Sequence, residues 1–341
     1  MRHRLGFYGA YGVICLLLQV AQLAKVTPVS AGDIDPSLAR LVHAAGNGPC
    51  PDSGAASVCP DDESFEHLAA EFAGAVAPVV GRGAATDGAR GFYLGLNSTL
   101  TTIRSDSRYW ARGTRGSDPN ASHNANVDAA LSWNRLELRK GLPFGFEIGS
   151  SLGFGLHTSL WSFAVELKLA LFEGFRTGLG ALPDVAVRAV TQQLLGSSEF
   201  SLRTQVVDIT LSKPFVVLRE HTLTPLLALQ LLFVNAKSGV VDLTPANQAF
   251  RACSPAAGEP ATCTQAGGAS ELASNVTFKS VSQTRVRMFL GAEERFRLLS
   301  IALTVGFDLT TPRLQSETPG DTLPRDLLRQ FSLHLACGMR Y

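Results

Sequence analysis

The sequence predicts an all-β chain: a transmembrane antiparallel up-and-down β-barrel of about ten strands, with a short N-terminal helix. Three observations carry this. The chain ends on an alternating stretch in which Phe331, Leu333, Leu335, Cys337, Met339 and Tyr341 interleave with Ser332, His334, Ala336, Gly338 and Arg340. A period of two puts these sets on opposite strand faces, and the length suits a tilted membrane-crossing strand of about 9–11 residues. The same alternation recurs nine times from residue 91 onward, each stretch bounded by turn residues. Finally, only 17% of residues are charged while Gly numbers 32 of 341, which fits walls facing lipid on one side and a crowded lumen on the other. A net charge of +1 gives no bulk electrostatic reason to expect a nucleic-acid partner.

The chain opens with Arg2 and Arg4, an uncharged stretch from Leu5 to Ala24, and the small residues Val29-Ser30-Ala31. This is the layout of a secretory signal peptide over 1–31. Gly6, Gly9, Gly12, Gln19 and Gln22 dilute the stretch and weaken the alternative of a membrane anchor. No later run is long enough for a helical span; Leu226 to Val234 falls far short. In an exported chain the close pairs Cys50/Cys59 and Cys253/Cys263, each in a polar loop, predict two local disulfides rather than a zinc site.

Residues 32–90 read as a periplasmic N-terminal segment. Its first half is rich in Pro, Gly, Ala and Asp. Phe65, Leu68, Phe72, Val76 and Val79 then recur at helical spacing, with Asp62 as the expected N-cap and an end near Pro78. The helix is expected either to plug the barrel or to dock on its rim against the periplasmic turns.

The barrel is expected over 91–341. Strand one holds Phe92, Leu94, Leu96 and Leu100, and a polar loop over 104–126 follows, with Tyr109-Trp110 expected in the interfacial aromatic girdle. The next strands centre on 132–140, 144–156, 161–171, 185–194, 202–213, 222–234, 278–294, 301–309 and 331–341. Twelve strands would arise if 64–81 or a split of the long eighth strand added a pair. With the C-terminus in the periplasm, the long loops 104–126, 235–276 and 310–329 fall outside and the turns at 141–143, 173–184, 214–221 and 295–300 inside, the known asymmetry of such barrels. An even count then places both termini in the periplasm.

The inward faces carry Glu137, Arg139, Glu147, Glu166, Lys168, Arg188, Arg285, Arg287, Glu293, Asp308 and His334. Two readings follow: these charges pair across a filled lumen, or they ring a narrow conduit for small solutes. No catalytic, metal or cofactor motif is present; there is no His-Glu-x-x-His, phosphate-binding loop or Cys-x-x-Cys. His157 with Ser159, Asp106 and Asp118 with His123, and His334 with Ser332 are the weak hydrolytic candidates.

The closing strand, with Phe331, Leu333, Leu335, Met339 and a terminal Tyr341, resembles that of bacterial outer-membrane barrels. In those proteins the terminal aromatic belongs to an assembly signal, which implies the barrel-assembly machinery and outer-membrane lipid as partners. The runs Arg139-Lys140-Gly141-Leu142-Pro143-Phe144, Glu173-Gly174-Phe175, Pro183-Asp184-Val185-Ala186-Val187-Arg188 and Leu211-Ser212-Lys213 are similar to uncharacterised outer-membrane β-barrel proteins of myxobacteria and related Gram-negative bacteria. That resemblance spans most of the chain from about residue 62 and implies location and fold without a ligand. The resulting expectation is a non-enzymatic barrel, either a narrow passive channel or a non-conducting surface-interaction barrel with a disulfide-pinned external loop.

Overall fold

The computed structural model describes residues 33–44, 58–118, 121–172, 182–218, 220–243, 275–310 and 327–341. Ten antiparallel strands close into a barrel: β1 (Phe92–Thr102), β2 (Ala130–Gly141), β3 (Phe146–Gly155), β4 (Trp161–Phe172), β5 (Asp184–Leu195), β6 (Phe200–Ser212), β7 (His221–Ser238), β8 (Val281–Phe296), β9 (Leu299–Asp308) and β10 (Phe331–Arg340). Each strand pairs with its sequence neighbours, and the β10–β1 ladder, Ser332 opposite Thr101 through Arg340 opposite Tyr93, seals the cylinder. Closure leaves no unpaired edge, as a lipid environment requires. The count is ten, and residues 64–81 add no strand.

Strand chemistry changes along the barrel axis. On β6 the outward residues run from Ser201, Arg203 and Gln205 to Val207, Ile209 and Leu211, while the inward ones run from Phe200 and Leu202 to Asp208, Thr210 and Ser212. On β7 the exposed Leu223, Leu227, Leu229 and Leu231 give way to Asn235 and Lys237. Its inward face goes from Thr224 and Gln230 to the buried Leu232, Val234 and Ala236. Near the long loops the barrel is thus built like a soluble protein, apolar inside. Nearer the C-terminus it is inverted, with Leu136, Ile148, Phe163, Leu167, Leu290 and Leu303 exposed on the outside and polar groups within. That exposed apolar surface is far larger than a water-facing monomer carries and has the layout of a membrane-spanning band. Phe331, Leu333, Met339 and Tyr341 lie exposed on the same outer face, with Leu335 half-buried there.

The N-terminal segment runs through the barrel. Helix α1 (Asp62–Val76) is buried on every side from Glu63 onward. Its N-cap is Asp61, one residue earlier than expected; the Asp61 carboxylate accepts from the Ser64 amide (3.0 Å) and the Ser64 hydroxyl (2.7 Å). Phe65, Leu68, Phe72 and Val76 pack with Trp133, Phe200, Leu232 and Val234 into one apolar core, with Phe72 edge-on to Phe200. An extended run from Ala77 continues to the C-terminal end, where Gly141 donates to the Gly91 carbonyl and Phe92 to that of Tyr341.

Residues 33–41 lie at the opposite end. The Ile34 amide donates to the His157 carbonyl and that of Ser37 to the Gly113 carbonyl. The Asp35 carboxylate accepts from Thr158 Oγ1 and the Ser159 hydroxyl. Of the two placements expected for the helix, the plug rather than the rim describes it: the described part of the segment begins among the long loops, and α1 and the run after it cross the barrel to reach β1. Residues 1–31, expected to be a signal peptide, and Cys50, Cys253 and Cys263 lie outside the described residues; Cys59 is buried in a short strand, Val58–Pro60, beside Val42–Ala44. Tyr109 and Trp110 form no girdle. They sit on a short helix, α2 (Arg108–Gly113), fully buried against α1, because Glu71 of α1 accepts from both side chains.

Candidate functional site

The candidate site is the filled lumen. All eleven inward charges anticipated from sequence point into it and are buried. Strand register arranges seven inward residues as neighbours across seven strands: Glu147, Lys168, Arg188, Asp208, Gln230, Arg287 and Asp308 lie directly opposite one another in successive ladders. A second group centres on Arg139, which contacts Glu137, Glu147 (3.3 Å) and Glu166 (2.9 Å). Arg188 joins the two, reaching Asp208 at 2.7 Å and Glu166 at 3.4 Å. Arg285 and Arg287 share Asp308. Interspersed opposite charges let most of these ions be taken from water with a partner in place.

The wall also grips the segment. Arg135 and Gln192 donate to the Val76 carbonyl, Gln230 to that of Pro78 (3.1 Å), and Arg188 to that of Val79 (3.2 Å). Lys168 Nζ donates to the carbonyls of Gly83 (2.8 Å) and Ala85 (3.0 Å). In return the Gly83 amide donates to Glu293 and the Ala84 amide to Ser212 Oγ. An extended strand with no sheet partner must satisfy its peptide groups somewhere, and the wall side chains take that role here. At the C-terminal end Arg82 lies 4.0 Å over the Tyr93 ring and pairs with Asp87 at 2.9 Å. Arg340 reaches Asp87 (3.2 Å) and Glu293 (2.9 Å), closing this end with a charge cluster. Inward glycines give the large side chains room: the Tyr93 ring occupies the space that a Cβ at Gly95 or Gly338 would need.

His334 lies inside this arrangement. Its Nδ1 is 2.9 Å from Thr99 Oγ1, and a Cβ added at Gly81 would lie 2.3 Å from its Nε2. Its hydrogen-bond partner is thus Thr99 rather than Ser332. His157 and Ser159, a second of the three hydrolytic candidate sets, hold the N-terminal segment, the His157 carbonyl through the Ile34 amide and the Ser159 hydroxyl through Asp35. Gly81→Val should therefore be poorly tolerated, with a loss of about 1–3 kcal/mol from overpacking. Urea titration of the folded barrel in detergent checks this; unchanged stability would show that the segment does not press on the wall there.

Sequence reasoning missed Arg82, Asp87, Asp208 and Gln230. Asp208 and Gln230 share the alternation that revealed their neighbours and were open to the same reasoning. Arg82 and Asp87 lie in a Gly/Ala-rich run with no periodicity. Beside the segment remain voids of about 20 and 10 Å³, about the room of one water each. Of the two readings of the charged faces, that of charges paired in a filled lumen describes the structure, and the space a conduit would need is occupied by the chain itself.

No family model and no curated protein matches this sequence. Among solved structures the chain is similar to the attachment invasion locus protein Ail of Yersinia pestis, with 9% identity, 74% of this chain and 99% of that one covered, and a TM-score of 0.25. It is similar to the KdgM porin in complex with oligogalacturonate at 7% identity, 72% and 98% coverage and TM-score 0.27. For the translocator domain of the autotransporter NalP from Neisseria meningitidis the values are 9%, 82%, 95% and 0.28. These overlays are loose, and the fold rests on the strand ladders themselves.

Proposed function

We propose that this chain is a bacterial outer-membrane β-barrel that does not conduct in its resting state and acts, without catalysis, as a membrane-held platform for its long loops. The observation that carries this reading is the filled lumen: α1 and residues 77–87 occupy it and are bonded to the wall of several strands. The apolar band supports a lipid partner, and the outward Phe331, Leu333, Leu335, Met339 and Tyr341 support recognition by barrel-assembly machinery. Disulfides Cys50–Cys59 and Cys253–Cys263, pinning the segment and the longest loop, belong to the same reading.

Planar-bilayer recording of the refolded intact chain at high KCl tests it. The expected result is no stepwise conductance. Stable, ohmic single-channel steps from the intact chain would replace this reading with the alternative, a narrow passive channel for small solutes.

A further inference from the structure

We propose that the barrel is a conduit for polypeptide that delivers its own N-terminal segment across the membrane, so that residues 33–44 stand on the outer surface among the long loops. The inference rests on the outer-membrane reading above and adds a direction and a cargo to it.

The two ends of the segment fix the path. Residues 33–41 are bound by the long-loop end: the Leu38 amide donates to Glu199, and Arg40 donates to the carbonyls of Thr114 and Arg115. Gly91 and Phe92 are bound at the C-terminal end. Between them, the helix Asp62–Val76 spans about 22 Å at 1.5 Å per residue. The run 77–90 reaches up to about 46 Å when extended. Together they are long enough to cross a hydrocarbon core of about 30 Å, as ends bound at opposite mouths of the barrel require.

The chemistry of the grip identifies the cargo class. Over residues 76–85 the wall donors Arg135, Gln192, Gln230, Arg188 and Lys168 all go to main-chain carbonyls. Peptide carbonyls are present whatever the side chain, so a wall that reads them holds extended polypeptide by its main chain, provided the side chains are small where His334 crowds the path at residue 81. The segment matches this, being small where it is extended: Ala77, Gly81, Gly83, Ala84 and Ala85. A solute pore gains nothing from donors committed to a peptide backbone. A barrel that must enclose a strand of its own chain needs them, because there is no sheet partner for that strand inside.

The test places a short epitope between Gly32 and Asp33 and, in a separate chain, one in the turn at 297–298. Antibody binding is compared on intact and permeabilised cells, with fractionation of the same cells. The proposal expects the N-terminal epitope to bind fully on intact cells, and the turn epitope to gain at least about tenfold on permeabilisation. An N-terminal epitope hidden until permeabilisation, in cells whose protein is in the outer-membrane fraction, overturns the proposal alone. Absence from that fraction overturns the location as well. If the epitope impairs assembly, Asp33→Cys labelled with a membrane-impermeant maleimide, read against the unsubstituted chain, gives the same answer. Val79→Ala/Val80→Ala should leave surface labelling within about twofold; its loss would show that side chains rather than main chain carry the passage.

Discussion

Replacing Arg188 with Met is expected to destabilise the folded barrel by about 3–5 kcal/mol, the usual consequence of removing one partner from a buried ion group. Arg188 donates through Nε (2.9 Å) and a terminal nitrogen (2.7 Å) to Asp208, sits 3.4 Å from Glu166, and caps the Val79 carbonyl. Met has the length to fill the space but donates nothing. Asp208 then loses its cation, whereas Glu166 keeps Arg139 at 2.9 Å. The double variant Arg188→Met/Asp208→Leu should accordingly recover much of the loss, because removing both ions leaves no orphan carboxylate on that side. Urea unfolding in detergent, followed by tryptophan emission, gives both numbers. A single variant within about 0.5 kcal/mol of the parent, the range of ordinary surface changes, would show that the lumen is wet enough to solvate Asp208 and that the charge network is not dry.

The outer half of this molecule was legible because lipid and a filled interior impose opposite chemistry on alternate residues. Trp161, Phe163, Val165, Leu167 and Leu169 against Ser162, Ala164, Glu166 and Lys168 leave one choice of face, and the strand bounds follow within a few residues. The signal fades where the barrel rises toward its long loops. On β7, Leu232 and Val234 are as apolar as Leu229 and Leu231, so alternation cannot tell which set meets α1 and which meets lipid.

The path of the N-terminal segment was harder still. The helix was visible from Phe65, Leu68, Phe72 and Val76, but its other faces carry Glu66, His67 and Glu71, which look like a solvated side. Glu66 and Glu71 are buried because polar partners wait for them in the wall and in the first loop, as Gln283 does for Glu66 at 2.8 Å, and the His67 ring stacks on that of Tyr109. The extended run carries almost no side-chain signal. Its binding uses main-chain carbonyls, which every residue has, so Gly81-Arg82-Gly83-Ala84 reads as a linker.

Glu71→Leu is expected to cost upwards of about 3 kcal/mol, since hydrogen bonds to a charged acceptor contribute about 1.5–3 kcal/mol each and orphaned buried donors add to the loss. The carboxylate is fully buried and accepts from Tyr109 Oη (2.6 Å), Trp110 Nε1 (2.8 Å) and the Arg104 amide (3.0 Å). These bonds hold the first long loop onto the helix, and none of them belongs to the strand ladder. The loss should therefore appear first as cleavage by added protease within 103–129, with the barrel core still protected. Burial, and then the Glu71 carboxylate, push the Tyr109 phenol well above its ordinary range. A proton held more tightly in the folded state contributes stability below the unfolded value of about 10 and loses it as pH rises further. The parent should thus be less stable at strongly alkaline pH, and Glu71→Leu, without that carboxylate, should show a shallower decline. Glu71→Gln keeps one acceptor oxygen and turns the other into a donor facing donors, so it should fall between the two. A Leu variant as protease-resistant as the parent would mean that apolar contacts of Phe72 and Leu68 hold the loop, and that Glu71 is buried without fastening it.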